Sequence, residues 1–170
     1  QRDKKHAALL FLDLDDFKKI NDTMSYEVGD KLLVQAARRL RDSVRDGDTV
    51  SRLGGDEFIV LMGNISTVED TYPVAQKLLE SFNAAFLLDN RELTVTVSIG
   101  VAIYPDDGKT PAELLRNADT ALYKSKAEGR NTYNYFTNTM NQRISRRLQL
   151  EEQLYGALDR NEFQLFYQPL

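Results

Sequence analysis

The chain has 170 residues, with 22 lysines and arginines against 26 aspartates and glutamates, so its formal net charge is −4. That length predicts one domain, and 42% hydrophobic with 28% charged residues is typical of a globular protein with a real core. The acidic balance argues against a general binder of nucleic-acid backbones, which needs clustered Lys and Arg. No apolar run reaches the roughly 20 residues that span a bilayer, so we expect a cytoplasmic, soluble segment without membrane contact. The absence of cysteine and the single histidine exclude disulfides, thiolate catalysis and Cys- or His-cluster zinc sites.

The first half of the chain predicts a strand, a helix and a hairpin. Residues 7–13 are a nearly continuous apolar run that ends in acid, as in a buried strand with polar groups at its carboxyl end. Residues 14–30 are polar and mixed. From Asp30 to Arg45 apolar residues recur every three or four positions, which predicts an amphipathic helix. Two β-rich runs, 48–53 and 57–62, flank a glycine turn that needs positive φ.

The second half predicts a helix, a strand, a helix and a short strand. Capping-box spacing from Ser66 to Glu69 starts a helix that runs to about Leu87, with Pro73 delaying its first turn. Residues 93–104 alternate β-branched and polar side chains, as in a strand. Thr110, Pro111 and Glu113 start another helix, which Gly129 ends. A short strand at 132–136 and a charged helix from 138 to about 160 follow. This order predicts an α/β sandwich whose helices cover an at least partly antiparallel sheet.

Acidic residues collect at two places that this fold could bring together. Asp13, Asp15 and Asp16 follow the first strand, and Asp56 and Glu57 lie on the hairpin tip. Carboxylates held together repel unless a cation lies between them, and an oxygen-only donor set favours Mg²⁺ shared with a nucleotide phosphate. Solvated loop acids are the alternative interpretation.

Two other interpretations of the first acidic motif fail at specific positions. A calcium EF-hand loop would need an oxygen ligand at Phe17 and a glycine at Lys18. A phosphatase of the haloacid dehalogenase type would continue with Gly-Thr where this chain has Asp16 and Phe17.

Five ordered motifs together resemble the GGDEF domain of diguanylate cyclases, over roughly residues 7–136. They are LFLDLDDFKKINDT (10–23), VGD (28–30), RLGGDEF (52–58), VSIGVA (97–102) and ADTALYKSKAEGRN (118–131). The resemblance implies a mixed, largely antiparallel sheet flanked by helices, related to the palm of polymerases and class III nucleotide cyclases. It also implies the condensation of two GTP into cyclic di-GMP and two pyrophosphates. The implied cofactor is Mg²⁺, with Mn²⁺ as an alternative, and the implied active form is an antiparallel homodimer because one site holds one GTP.

The resemblance also implies roles for individual residues. Asp13 and Asp56, with the Leu14 carbonyl, resemble the Mg²⁺ ligands, and Glu57 resembles the acid near the attacking 3′-hydroxyl or a second metal. For GTP, Asp16, Phe17 and Lys18 resemble the phosphate cradle, and Lys126 and Arg130 resemble the cations that hold the distal phosphates. Asn21 and Asp30 match the pair that reads the guanine. Gly54 and Gly55 leave room for the phosphates. For the two cations, simple complementation of a helix C-terminal dipole is the alternative.

A second ligand site and one departure from the family pattern complete this comparison. Arg45 and Asp48 match the family's R-x-x-D inhibitory site, which predicts cyclic di-GMP as a feedback inhibitor. The segment Met24–Tyr26 replaces the family's usual aromatic-Gly-His, close to the expected base pocket. The alternative function is therefore a non-catalytic GTP- or cyclic di-GMP-binding module.

The C-terminal part is predicted to belong to something else. Residues 150–170 resemble the first helix and strand of an EAL phosphodiesterase domain, whose own catalytic motif lies beyond residue 170. We therefore expect a GGDEF domain at 1–136 without its usual N-terminal segment, a linker helix at 137–160 and the start of an EAL domain at 161–170. In the alternative function, the GGDEF module would regulate that phosphodiesterase.

Overall fold

A computed structural model describes residues 6–154, 157 and 160. The chain divides into two compact units, residues 1–136 and 137–170. The first unit contains a five-stranded and a two-stranded sheet. The strands are β1 (His6–Leu14), β2 (Thr49–Gly54), β3 (Glu57–Ile65), β4 (Phe86–Leu88), β5 (Arg91–Leu93), β6 (Val97–Tyr104) and β7 (Tyr133–Tyr135).

The larger sheet has the strand order β2-β3-β1-β6-β7. Its neighbouring strands are antiparallel except β6 and β7, which are parallel. The predicted mixed, largely antiparallel sheet flanked by helices is confirmed. β1 and β6 lie inside this sheet, and nearly all of their residues are buried.

Helices cover both faces of this sheet. They are α1 (Phe17–Thr23), α2 (Tyr26–Ser43), α3 (Tyr72–Ser81) and α4 (Pro111–Ala127). The main core joins α2 and α3 to alternate residues of the central strands, whereas α4 packs on β6 and β1. Gly100 allows this close approach, because a Cβ there would lie 2.0 Å from the Ala118 carbonyl oxygen.

Two helices begin at residues other than those predicted, because different residues cap them. Helix α2 begins at Tyr26 rather than Asp30, since the Ser25 hydroxyl accepts a hydrogen bond from the Val28 N–H at 3.3 Å. The capping box before α3 joins Thr67 to Asp70 rather than Ser66 to Glu69, and it opens a short 3₁₀ helix at Val68–Thr71. Helix α1 lies in the segment that the sequence left as polar and mixed.

The prediction that α3 continues to Leu87 is wrong, because the chain turns after Ser81 into the hairpin of β4 and β5. Arg39 of α2 fixes this turn by donating to the carbonyl oxygens of Ser81, Ala84 and Ala85. The hairpin turns through Asp89 and Asn90, both left-handed with φ of 49° and 64°. The predicted strand 93–104 accordingly begins only at Val97.

The other predicted elements agree with the structure. Strands β2 and β3 pair as the expected hairpin, and Gly55 takes the positive φ, 51°. Thr110 and Glu113 form the capping box of α4. Gly129 follows its end with φ of 110°.

The second unit contains α5 (Asn138–Leu154), which begins at the residue where the charged helix is predicted to begin. The predicted start of an EAL domain at 161–170 lies outside the described residues. None of the helices in the described part of the chain is long and apolar enough to cross a membrane.

Candidate functional site

The antiparallel register brings the hairpin tip to the carboxyl end of β1. Asp13 is paired across the sheet with Glu57 of β3 and, on its other side, with Ser98 of β6. The Leu14 N–H donates to the Asp56 carbonyl at 3.3 Å. The two acidic groups that are separate in sequence therefore share one sheet edge.

Asp13 is one of two buried acids at this site, with only 8% of its surface exposed. Burial raises the pKa of its carboxyl to about 6, against a lowering by the hydrogen bond from Lys126 and a further rise from the charge of Asp56. Asp13 and Asp56 thus repel each other when both are ionised.

Two cations from the end of α4 reach this edge. Lys126 Nζ lies 2.9 Å from Asp13 Oδ1, and Arg130 Nε lies 3.9 Å from Asp16 Oδ1. Dipole complementation requires a cation only near the carbonyls of its own helix. These two cations instead contact carboxylates of another segment, so they lie beside the acidic residues of the predicted site.

The β1–α1 turn presents the predicted phosphate cradle. Asp16 is left-handed, with φ of 59°, and begins α1 without a side-chain cap. Phe17 is 8% exposed and packs in the core, whereas Asp16 and Lys18 are exposed. The buried ring anchors a turn whose polar neighbours face solvent.

The predicted guanine-reading residues lie on α1 and α2. Asn21 faces Gly29 so closely that a Cβ on the glycine would be 1.9 Å from its Oδ1. That Oδ1 is buried and has no hydrogen-bond partner among the described residues. Asp30 follows Gly29 and is exposed. The amide of Asn21 and the exposed carboxylate of Asp30 are groups that can hydrogen-bond the edge of a base, as the prediction requires.

The glycine tip leaves open space beside the acids. A Cβ built on Gly54 or Gly55 would meet nothing within 4 Å. The Arg52 Nε donates to the Gly55 carbonyl at 2.9 Å and fixes the tip from the β2 side. The space is consistent with the predicted room for a phosphate.

The donor chemistry at the edge fits a hard divalent cation. Within the described residues no cluster of three or more His, Cys, Asp or Glu has the geometry to hold a metal. A metal here would be coordinated by the carboxylates of Asp13 and Asp56, the Leu14 carbonyl and phosphate oxygens of a nucleotide. Mg²⁺ is bound in this way, by few carboxylates and the substrate phosphates, in nucleotide sites. The mutual repulsion of the two acids is the observation that supports this fit.

Arg45 and Asp48 lie at the far end of β2 from the hairpin tip. Arg45 Nε donates to Asp48 Oδ1 at 3.0 Å, and its Nη2 donates to the Gly63 carbonyl. The Asp48 side chain is fully buried, and its Oδ2 has no partner in the described part of the chain. Both residues line a cavity of about 560 Å³ between α2, β3 and α3, separate from the acidic edge.

The sequence motifs assign no individual role to two residues of this site, Asp15 and Gly29. Asp15 is 6% exposed and accepts three hydrogen bonds from other segments, which a run of acids cannot reveal. Gly29 leaves room for the side chain of Asn21 because it has no Cβ. The sequence predicts that Gly29 lies near the start of a helix, but it does not predict the contact between α1 and α2.

Comparison with known proteins identifies the family. The family model described as diguanylate cyclase, GGDEF domain, matches residues 1–132. The bifunctional diguanylate cyclase/cyclic di-GMP phosphodiesterase MucR of Pseudomonas aeruginosa is 42% identical over 168 residues, which are 99% of this chain and 24% of MucR. The chain thus spans about a quarter of that relative.

Two solved structures are similar in fold and sequence. The GGDEF domain of the diguanylate cyclase TpbB from P. aeruginosa matches with a TM-score of 0.81 and 36% identity, over 84% of this chain and 83% of that chain. The GGDEF domain of DgcB from Caulobacter crescentus, solved in complex with c-di-GMP, matches with a TM-score of 0.67 and 28% identity, over 77% and 78% respectively. The chain therefore belongs to the diguanylate cyclase GGDEF family, a family of cyclic di-GMP signalling domains.

Proposed function

We propose that this domain is a diguanylate cyclase, which condenses two GTP into cyclic di-GMP and two pyrophosphates. The observation that carries the proposal is the single edge where Asp13, Asp56 and Glu57 meet Lys126 and Arg130. Acids that suit a metal beside cations that suit phosphates are the arrangement that nucleotidyl transfer requires.

The proposed reaction requires a group that accepts the proton of the attacking hydroxyl, and we assign this role to Glu57. In each step a 3′-hydroxyl oxygen of one GTP attacks the α-phosphorus of the other, a new P–O bond forms, and the bond to the β-phosphate breaks to release pyrophosphate. The hydroxyl loses its proton in this step. Glu57 is exposed and lies across the sheet from Asp13, so we assign it to the acceptance of that proton.

The remaining residues bind and orient the substrate. We assign Lys126, Arg130, Lys18 and the backbone at Asp16 and Phe17 to the triphosphate, with Gly54 and Gly55 leaving it room. Asn21 and Asp30 read the guanine. A bound Mg²⁺ or Mn²⁺, held by Asp13, Asp56 and the Leu14 carbonyl, would neutralise charge that develops on the phosphates.

The stoichiometry implies a homodimer. One edge has one set of acids and one pair of phosphate-holding cations, so two copies must meet for the two reciprocal attacks. The proposal also assigns Arg45 and Asp48 to feedback binding of the product. The complex of the similar DgcB domain with c-di-GMP supports product binding in this family. We place the reaction in the cytoplasm.

The test incubates the protein with GTP and Mg²⁺ and follows cyclic di-GMP by chromatography together with released pyrophosphate. We expect two pyrophosphates per cyclic di-GMP and a rate per protein that rises with protein concentration, as a dimer requires. Glu57→Gln should abolish product, whereas Glu92→Gln, an exposed acid of β5, should not. Product from the Glu57→Gln protein would contradict the assignment of that residue.

A non-catalytic module that binds GTP or cyclic di-GMP and controls an attached EAL phosphodiesterase is the second candidate. Two observations favour it: the family's aromatic-Gly-His is replaced by Met24–Tyr26, and residues 150–170 resemble the start of an EAL phosphodiesterase domain. GTP binding without product formation would support this candidate over the cyclase.

A further inference from the structure

Asp15 connects three segments at the candidate site. Its Oδ1 accepts from the Ser98 hydroxyl at 2.7 Å, and its Oδ2 accepts from the Thr96 hydroxyl at 2.6 Å and the Asn131 N–H at 3.1 Å. Its own N–H donates to the Thr96 carbonyl at 2.9 Å. The carboxylate thus joins the β1–α1 turn to the start of β6 and to the turn that follows α4.

The turn that Asp15 holds is conformationally costly. Gly129, Arg130 and Asn131 are all left-handed, with φ of 110°, 66° and 47°. Glycine and asparagine adopt this region more readily than other residues, but for Arg130 it costs about 1 kcal/mol or more. Such a turn persists only where surrounding residues hold it in place. The hydrogen bond from the Asn131 N–H to Asp15 does this at the residue next to Arg130.

The same turn sets the place of the two site cations. Arg130 belongs to it and Lys126 is in the last turn of α4 immediately before it. Their present partners are Asp16, at 3.9 Å, and Asp13, at 2.9 Å. Both side chains are about a third to a half exposed, so these pairs can exchange for phosphate oxygens, whereas the buried bonds of Asp15 stay in place.

We propose that Asp15 is a positioning residue that holds the 129–131 turn against the β1–α1 turn, so that Lys126 and Arg130 face the β- and γ-phosphates of the nucleotide. This rests on the proposed binding of GTP at this edge. Asp15 acts through its hydrogen bonds and not as a ligand of the metal or substrate.

The hydrogen-bond geometry distinguishes these two modes. In Asp15→Asn the amide oxygen can keep the Thr96 and Asn131 donors while the amide N–H₂ donates to the Ser98 hydroxyl, which also accepts. In Asp15→Ala all three donors lose their acceptor. A positioning role therefore predicts rescue by asparagine, and a role that needs the charge does not.

The experiment measures the affinities of 3′-deoxy-GTP and 3′-deoxy-GMP by calorimetry at fixed Mg²⁺. Neither nucleotide has the attacking hydroxyl, so no product forms. The ratio of the two dissociation constants reports what the β- and γ-phosphates contribute. We expect Asp15→Ala to reduce this preference for the triphosphate by about tenfold, the usual cost of losing hydrogen bonds to a charged group, with monophosphate affinity unchanged. Asp15→Asn should keep the preference close to that of the parent.

Controls separate positioning from loss of stability. Asp107→Ala removes a half-buried carboxylate that also accepts a backbone N–H, from Ile103 at 2.7 Å, near the opposite end of β6. It should leave the preference unchanged. If Asp15→Ala does not fold, Thr96→Val removes the 2.6 Å donor with little change of shape and should give a smaller reduction of the same kind.

Each outcome of these measurements supports or overturns the positioning role of Asp15. A parental preference in the folded Asp15→Ala protein, or in Thr96→Val when Asp15→Ala does not fold, overturns the positioning role, as does an Asp15→Asn protein as impaired as Asp15→Ala. A parent protein with no preference for the triphosphate overturns the proposed function and this role with it, whereas a parent with that preference restricts any failure to Asp15.

Discussion

Gly29→Ala tests whether Asn21 reads the guanine base. A Cβ at this position would lie 1.9 Å from Asn21 Oδ1, 3.0 Å from its Cγ and 3.3 Å from Phe17 Cζ. To reach ordinary contact the amide oxygen must move by about 1.5 Å, since contacts of normal length begin at 3.4 Å. A hydrogen bond does not survive a displacement of that size.

The expected cost falls on recognition rather than folding. The loss of one hydrogen bond to the base is worth about 1 to 1.5 kcal/mol, or up to about tenfold in affinity. Alanine in a helix interior stabilises by about 0.5 to 1 kcal/mol relative to glycine, which offsets the local displacement. We therefore expect up to about tenfold weaker binding of 3′-deoxy-GTP, unchanged binding of 3′-deoxy-ATP, and nearly parental resistance to denaturant.

Two further proteins make the result specific. Gly63→Ala places a methyl group where nothing lies within 4 Å and should behave as the parent. The double variant Asn21→Ala with Gly29→Ala should bind no more weakly than Asn21→Ala alone, because both changes remove the same contact. A folded Gly29→Ala protein that still prefers GTP over ATP as the parent does would refute the reasoning.

Three other measurements address pH, packing and product control. The pKa of Asp13 is raised to about 6 from 3.8, so its protonated form stabilises the fold at low pH, and this contribution is lost as the pH rises through 6. Without metal, the Asp13→Asn protein should therefore have a higher free energy of unfolding than the parent, by up to about 3 kcal/mol at pH 8 and by little at pH 4. Denaturant titrations at the two pH values measure this difference. Gly100→Ala would place a Cβ 2.0 Å from the Ala118 carbonyl and 2.2 Å from the Leu122 nitrogen; since backbone cannot yield as a side chain does, the same titrations should show a loss above about 3 kcal/mol. Arg45→Ala should abolish inhibition of initial rates by added cyclic di-GMP, and unchanged inhibition would place the product elsewhere.

Local signals predicted the sheet and α4 well. The β2–β3 hairpin has a glycine turn between β-rich runs, and α4 has a capping box and a glycine stop, so each contains its own start and end within a few residues. The hairpin of β4 and β5 has no such independence. It replaces the predicted end of α3 because Arg39, more than 40 residues earlier, binds the carbonyls at Ser81, Ala84 and Ala85 and its guanidinium lies 3.5 Å from the Phe86 ring centroid.

The candidate site was predictable in its residue types but not in its pairings. The motifs pointed to the acids and to the cations of α4 as separate groups. That Lys126 lies against Asp13, and not only near its own helix end, follows from the packing of α4 on β1 and β6. Long-range contacts of this kind leave no periodicity in the sequence.

The three neighbouring acids illustrate how position on the fold assigns roles to identical side chains. Asp13 is buried opposite Glu57, Asp15 is buried with three donors, and Asp16 is exposed in a left-handed turn. The carboxylate of Asp15 is stabilised by these donors, whereas the buried carboxylate of Asp13 is paired with a cation, Lys126, at 2.9 Å. Under the proposed function, Asp13 would hold the metal, and Lys126 would then contact a phosphate instead of Asp13. A buried charge without a partner costs several kcal/mol, so the two exchanges must occur together, and nucleotide and metal should bind with positive cooperativity.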